Sequence, residues 1–143
     1  MVAETIDFAA LVQGAGDAIV VAGPDGSILL WNGAAERIFG YSKEEALGNS
    51  LDLIIPERFR NRHWQGYRQV MGTGKTRYGA EVLRVPAMRK DGQRLSIAFT
   101  VTLLYSPNQE VQAIAAILRD ETRRWEEEQS LRQRVAQLDA KKA

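Results

Sequence analysis

The chain has 143 residues, which suits one domain with a core and a short appendage, and its 45% apolar and 26% charged content is ordinary for a globular protein. Its net charge of +1 gives no field toward nucleic acid or anionic membrane, and the absence of cysteine excludes disulfides, thiolate metal sites and cysteinyl–flavin photochemistry. No apolar run reaches membrane-spanning length, and no basic segment followed by an apolar stretch opens the chain; the expectation is a cytoplasmic protein, or the cytoplasmic piece of a larger one.

Residues 4–15 carry Ile6, Leu11, Val12 and Ala15 on roughly one side, which predicts a short amphipathic lead-in helix over the first 16 residues, broken by Gly14 and Gly16. Ala18 to Ala22 is β-branched and too short for a helix. Gly23-Pro24-Asp25-Gly26-Ser27 has turn chemistry and Ile28 to Trp31 is strand-like, so an antiparallel hairpin is expected. Asn32 can cap a short helix through Phe39, stopped by Gly40. Ser42 and Glu45 match a capping box, whose helix ends by Gly48.

Pro56, suited to a first helical position, and Gly72-Thr73-Gly74 bracket a longer helix. At about 100° per residue, Ile55, Phe59, His63, Gly66, Tyr67 and Val70 share one arc, with Glu57, Arg58, Asn61, Arg62, Gln65, Arg68 and Gln69 opposite. The only histidine therefore lies on the apolar side. It is either a core histidine satisfied by a carbonyl or hydroxyl, or an imidazole ligating a metal in an apolar pocket; the helix alone leaves both open.

Strands follow. Leu83, Val85 and Ala87 alternate within residues 81–89, Lys90-Asp91-Gly92 is a turn signal, and Leu95, Ile97, Phe99, Val101 and Leu103 alternate strictly with smaller or polar residues. Ser106-Pro107-Asn108 turns the chain into a fifth strand over Val111 to Leu118. From Glu121 the sequence is rich in Glu, Arg and Gln, and Leu131, Val135 and Leu138 are spaced 4 and 3 apart, a coiled-coil seam that implies a partner helix. The expected organisation is a lead-in helix over 1–16, an α+β domain over 17–120 and a coiled-coil signalling helix over 121–143.

Enzymatic constellations fail. Gly74-Lys75-Thr76 lacks the leading glycine of a phosphate loop and follows a helix, while Gly14-Ala15-Gly16 lacks the third glycine of a dinucleotide fingerprint. No Ser/His/Asp set is placed by a tight elbow, and Glu126-Glu127-Glu128 belong to a charged helix, so no catalysis is expected.

Trp31-Asn32-Gly33-Ala34-Ala35-Glu36-Arg37-Ile38-Phe39-Gly40-Tyr41, with Glu45, Gly48 and Ile55-Pro56, resembles the first half of a PAS sensor domain. Arg89-Lys90-Asp91-Gly92, the strand after it, and Asp120-Glu121-Thr122 resemble the second half. The resemblance spans roughly residues 8–122. It implies a five-stranded antiparallel sheet that encloses a small-ligand pocket with its helices. It also implies a C-terminal helix passing signals to an effector such as a kinase, cyclase or phosphodiesterase, and a homodimer formed through the terminal helices.

Within that family the chain resembles the heme-binding branch of rhizobial oxygen-sensing kinases and heme-regulated cyclic-dinucleotide phosphodiesterases. Counted back from Lys90-Asp91-Gly92, that likeness puts the iron-ligating histidine at His63, ahead of Tyr67. Phe59 joins them as a cofactor-side residue of the same helix. Tyr78, Leu83, Ile97, Phe99 and Val101 would line the gas side of heme b, and Arg77 would lie near the propionates, with Arg60 a second candidate on charge. Leu83 replaces the distal arginine of the oxygen sensors and Glu81 the methionine ligand of the phosphodiesterases. An apolar distal wall would favour carbon monoxide or nitric oxide over oxygen, unless the Tyr78 hydroxyl reaches the ligand. The alternatives are a module for another small apolar ligand, noncovalent flavin included, and a cofactor-free dimerisation unit.

Overall fold

The computed structural model describes residues 5–76 and 81–142. Helix α1 spans Phe8–Gly14, shorter than the stretch expected from the apolar pattern, and none of its side chains is buried. Strands β1 (Ala18–Ala22) and β2 (Ile28–Trp31) form the expected hairpin, in which Gly26 takes φ +81°. Helix α2 (Gly33–Phe39) ends at Gly40 in the left-handed region, and α3 (Lys43–Ala46) begins with the capping box of Ser42 and Glu45.

Asn32 organises this half. It is 1% exposed, and its Oδ1 accepts from the backbone N–H of Ala35, capping α2, and from that of Ile19 in β1. Its Nδ2 donates to the carbonyls of Val12 and Asp17. One amide therefore fixes the first helix, the first strand and the second helix together. Beside it Trp31, Phe39 and Ile28 are fully buried, and the Trp31 indole N–H donates to the Tyr41 carbonyl at 3.0 Å.

Two 3-10 turns, Leu51–Ile54 and Glu57–Phe59, lead into α4 (Arg60–Thr73). The long helix thus begins later than Pro56. Pro56 is extended (ψ 140°), and the chain needs the second 3-10 turn to change direction before regular i, i−4 bonding starts. Gly74, at φ +68°, closes α4.

Strands β3 (Leu83–Met88), β4 (Arg94–Tyr105) and β5 (Val111–Asp120) complete a sheet of order β2-β1-β5-β4-β3 with every neighbouring pair antiparallel. Residues opposite one another on paired strands share a face. One row of the inner face therefore reads Ala18, Leu118, Phe99 and Leu83; the next reads Val20, Ala116 and Val101; the third, Ala22, Ile114 and Leu103. The helices and turns cover the first of these with Ala34, Ala35, Phe39 and Ile54. Helix α5 (Thr122–Lys142) leaves the domain from the end of β5 and has no buried residue.

Candidate functional site

Helix α4 is fastened to one end of the sheet at its middle and at its close. Midway along it, the Tyr67 hydroxyl donates to the Gly23 carbonyl in the β1–β2 turn, and closer to its start the Trp64 indole N–H donates to Asp52 Oδ1 of the preceding 3-10 turn at 2.7 Å. At its close, the Tyr105 hydroxyl of β4 donates to the Gly74 carbonyl at 3.0 Å. The β1–β2 turn and the β4–β5 connection lie at the same end of the sheet, because Ala22 pairs with Ile114. The C-terminal half of the helix is accordingly tied to this end of the sheet.

His63 stands on this helix beside Trp64 and Tyr67, with ring centroids 4.6 Å and 5.7 Å away. Its imidazole is half-buried, and Nδ1 is enclosed without a hydrogen-bond partner, the one such buried side-chain atom among the described residues. Withdrawal from water holds its pKa below the ordinary 6.5, and the Asp52 carboxylate opposes that shift more weakly. The ring is thus neutral at neutral pH and keeps a lone pair available. An enclosed, unsatisfied nitrogen is unfavourable by about 1–3 kcal/mol, so the position is either strained or awaits a partner.

The inner face of the sheet is apolar and incompletely covered. Leu83, Phe99, Val101, Leu103, Ile114 and Ala116 are only half-buried, while Ile97 is buried and Val85, on the edge strand, is exposed. Central strands of a closed core bury their inward side chains; here solvent reaches β4 and β5 on the side toward the helices. The expected wall of Leu83, Ile97, Phe99 and Val101 does share one face, with Leu83 and Phe99 directly paired.

The remaining candidates are distributed as follows. Phe59 is half-buried at the start of α4, with the Arg58 guanidinium 4.6 Å from its ring centroid. Tyr67 is buried and its hydroxyl is committed to the Gly23 carbonyl. Gly66, counted on the apolar arc, is exposed, since the arc is narrower than the residue spacing alone suggests. Arg60 donates to the carbonyls of Ile55 and Asp52 at 3.0 and 3.2 Å, which ties its guanidinium to the 3-10 turns rather than freeing it for an anionic ligand. Arg77 and Tyr78 lie outside the described residues.

Sequence reasoning missed Trp64 and Asp52. The indole occupies the space above Gly26, where a Cβ would come within 2.1 Å of Cη2. The available signal was a tryptophan at the border of an otherwise polar face, together with a turn glycine 38 positions earlier.

A sequence profile described as the PAS fold matches residues 6–120. The chain belongs to the PAS family. Among characterised relatives, the PAS chain is 28% identical over 137 residues to the oxygen sensor protein DosP of Escherichia coli, covering 96% of this chain and 17% of that protein. It is 45% identical over 47 residues to the sensor protein FixL of Bradyrhizobium diazoefficiens, covering 33% of this chain and 9% of that one. A protein of Azorhizobium caulinodans is 36% identical over 86 residues, 59% of this chain and 12% of its own length. The chain thus spans less than a fifth of each of these relatives.

Solved structures agree on the fold. The PAS domain of a Colwellia psychrerythraea protein superposes with TM-score 0.71 at 25% identity, covering 81% of this chain and 95% of that one. An RNA-binding light-oxygen-voltage receptor superposes with TM-score 0.74 at 24% identity, covering 90% of this chain and 36% of that one. These likenesses bear out the five-stranded antiparallel sheet, the α+β class and the C-terminal helix. The sequence likenesses to DosP and FixL bear out the resemblance to the branch that contains them.

Proposed function

We propose that this PAS domain is a non-catalytic sensory module that binds heme b through His63 and responds to a diatomic gas or to redox state. The observation that carries the reading is the neutral, half-buried imidazole with an enclosed ring nitrogen that no protein group satisfies. Among the described residues no set of three or more His, Asp or Glu is gathered to hold a metal ion. An iron held by His63 would therefore have to arrive with its own ligands, as it does in a porphyrin.

In support, the partly covered face of Leu83, Phe99 and Val101, with Ile97 buried on the same face, is the kind of apolar surface a flat macrocycle would need. The likeness to an oxygen sensor supports the same conclusion. When bound, heme would supply an open iron coordination position able to take a small gas, with His63 as the protein's own ligand. The chain's own part is to hold the imidazole neutral, to orient it from a helix tied down at Tyr67 and Gly74, and to offer an apolar wall. With Leu83 on that wall, the site offers no charged donor to a bound gas from this position. That favours carbon monoxide or nitric oxide over oxygen. A C-terminal effector such as a kinase, cyclase or phosphodiesterase, and a cytoplasmic setting, belong to the same proposal; in its support, the chain spans only 17% of DosP and 9% of FixL.

Titration of purified protein with hemin tests the reading. A sharp Soret band at one equivalent that collapses in His63→Ala is the expected result. Scattered absorbance insensitive to that substitution removes the heme. A copurifying iron-free apolar molecule, identified by mass spectrometry, would then assign the same face to another ligand.

A further inference from the structure

The backbone of Asp52 is held on both sides in the 3-10 turn that precedes α4. Its N–H donates to Ser50 Oγ at 3.1 Å, and its carbonyl accepts from the Ile55 N–H at 3.3 Å and from Arg60 Nη2 at 3.2 Å. The carboxylate is then secured by the helix. Oδ1 accepts from the Trp64 indole N–H at 2.7 Å, and Arg60 Nε lies 3.9 Å from the same oxygen. Trp64 in turn has little freedom, since its indole rests over Gly26. The Trp64 and His63 rings meet edge to face at 78°, with centroids 4.6 Å apart, and Tyr67 is the second aromatic neighbour of the imidazole at 5.7 Å.

We propose that Asp52, steadied by Trp64, is the positioning residue of His63: its carboxylate keeps the imidazole proton on Nδ1 and so leaves Nε2 as the nitrogen offered to a ligand. A neutral imidazole carries one proton, on one nitrogen or the other, and its surroundings choose which. Nδ1 is the enclosed nitrogen, and Asp52 is the charged group whose field acts on the ring against the effect of burial. Both contacts of the carboxylate fall on Oδ1, so among the described residues Oδ2 keeps its capacity to accept. No bond joins the carboxylate to Nδ1 directly, so it acts across a gap, through its field.

A carboxylate behind a ligating imidazole also makes the ring a stronger donor and favours the more oxidised metal. That consequence rests on the reading of His63 as an iron ligand. The tautomer itself exists in the ligand-free protein, and the two are tested apart.

The sole histidine gives one set of ring signals, so long-range proton–nitrogen correlation of the isotope-labelled, ligand-free full chain reads the tautomer above the ordinary pKa of 6.5. The parent is expected to hold its proton mainly on Nδ1, the reverse of free histidine in water. Asp52→Asn keeps an oxygen for the indole N–H and removes the charge; it should shift the balance about tenfold toward Nε2. Trp64→Phe keeps a ring over Gly26 but releases the carboxylate, and should shift it the same way. An unchanged pattern of sheet amide signals separates these effects from unfolding. In hemin-loaded protein, Asp52→Asn should retain the Soret band and favour the ferrous state about tenfold, a rise of about 59 mV in the one-electron midpoint. A parent ring protonated on Nε2, or a balance that ignores Asp52→Asn, would overturn the assignment. A Soret band with an unmoved midpoint would overturn the tuning of the iron, whereas a parent without a Soret band would remove the heme and leave the tautomer to decide the role of Asp52.

Discussion

Trp64 and Gly26 occupy what would be one side chain's space: the indole lies over the glycine, and a Cβ there would be 2.1 Å from Cη2 and 2.3 Å from Cζ3. The indole cannot swing clear without breaking its bond to Asp52. Gly26 also holds φ +81°, which an L side chain adopts only under strain. Gly26→Ala should therefore lower stability by about 2–4 kcal/mol, read from the urea midpoint at unchanged slope. Trp64→Ala in the same background should recover much of the loss, because it vacates the contested space.

Asn32→Asp keeps the two acceptor contacts, to the N–H groups of Ile19 and Ala35, and replaces the two donor contacts with a carboxylate facing the carbonyls of Val12 and Asp17. Stability should fall by about 3 kcal/mol or more. Amide hydrogen exchange should speed first in α1 and at the start of β1, where those carbonyls lie.

Tyr67 has its pKa pushed up to about 12 by burial, with the Asp25 carboxylate adding to the shift. A phenol whose folded value is raised contributes stability that is complete below its ordinary value of 10.0 and is lost as pH climbs toward about 12. The domain should destabilise over that alkaline window, and Tyr67→Phe should flatten this part of the profile. At neutral pH the same substitution should lower stability by about 1 kcal/mol, since the Gly23 carbonyl keeps the Gly26 N–H as a second partner.

His63 behaves in the opposite sense. Its folded pKa is lowered, so the unfolded chain binds the proton more readily. The stability present above the ordinary value of 6.5 should decline as pH falls through it, until the folded imidazole also titrates. Being the only histidine, it gives an isolated imidazole resonance for NMR titration. A midpoint at or above 6.5 in the ligand-free protein would contradict the enclosed geometry.

Much of the fold was legible because its signals are local. The turn glycines and the capping box of Ser42 and Glu45 act within four residues, and β4 alternates over a dozen. The late start of α4 was not legible, since it depends on how Pro56 and the Arg60 guanidinium settle against the preceding 3-10 turn. The apolar wall was readable as a pattern, and Leu83, Ile97, Phe99 and Val101 do share a face. That solvent reaches it was not, because exposure depends on where a helix lies across the sheet.

By itself, the order of residues determined the strands, the caps, the α+β class and the presence of one histidine on an apolar helical side, because periodicity and turn chemistry operate over a few bonds. Only the tertiary structure decided that the Nδ1 of that histidine is enclosed without a partner, that Trp64 lies on Gly26, and that Arg60 is held by carbonyls. These are contacts between segments distant along the chain, and they arise only when packing brings those segments together.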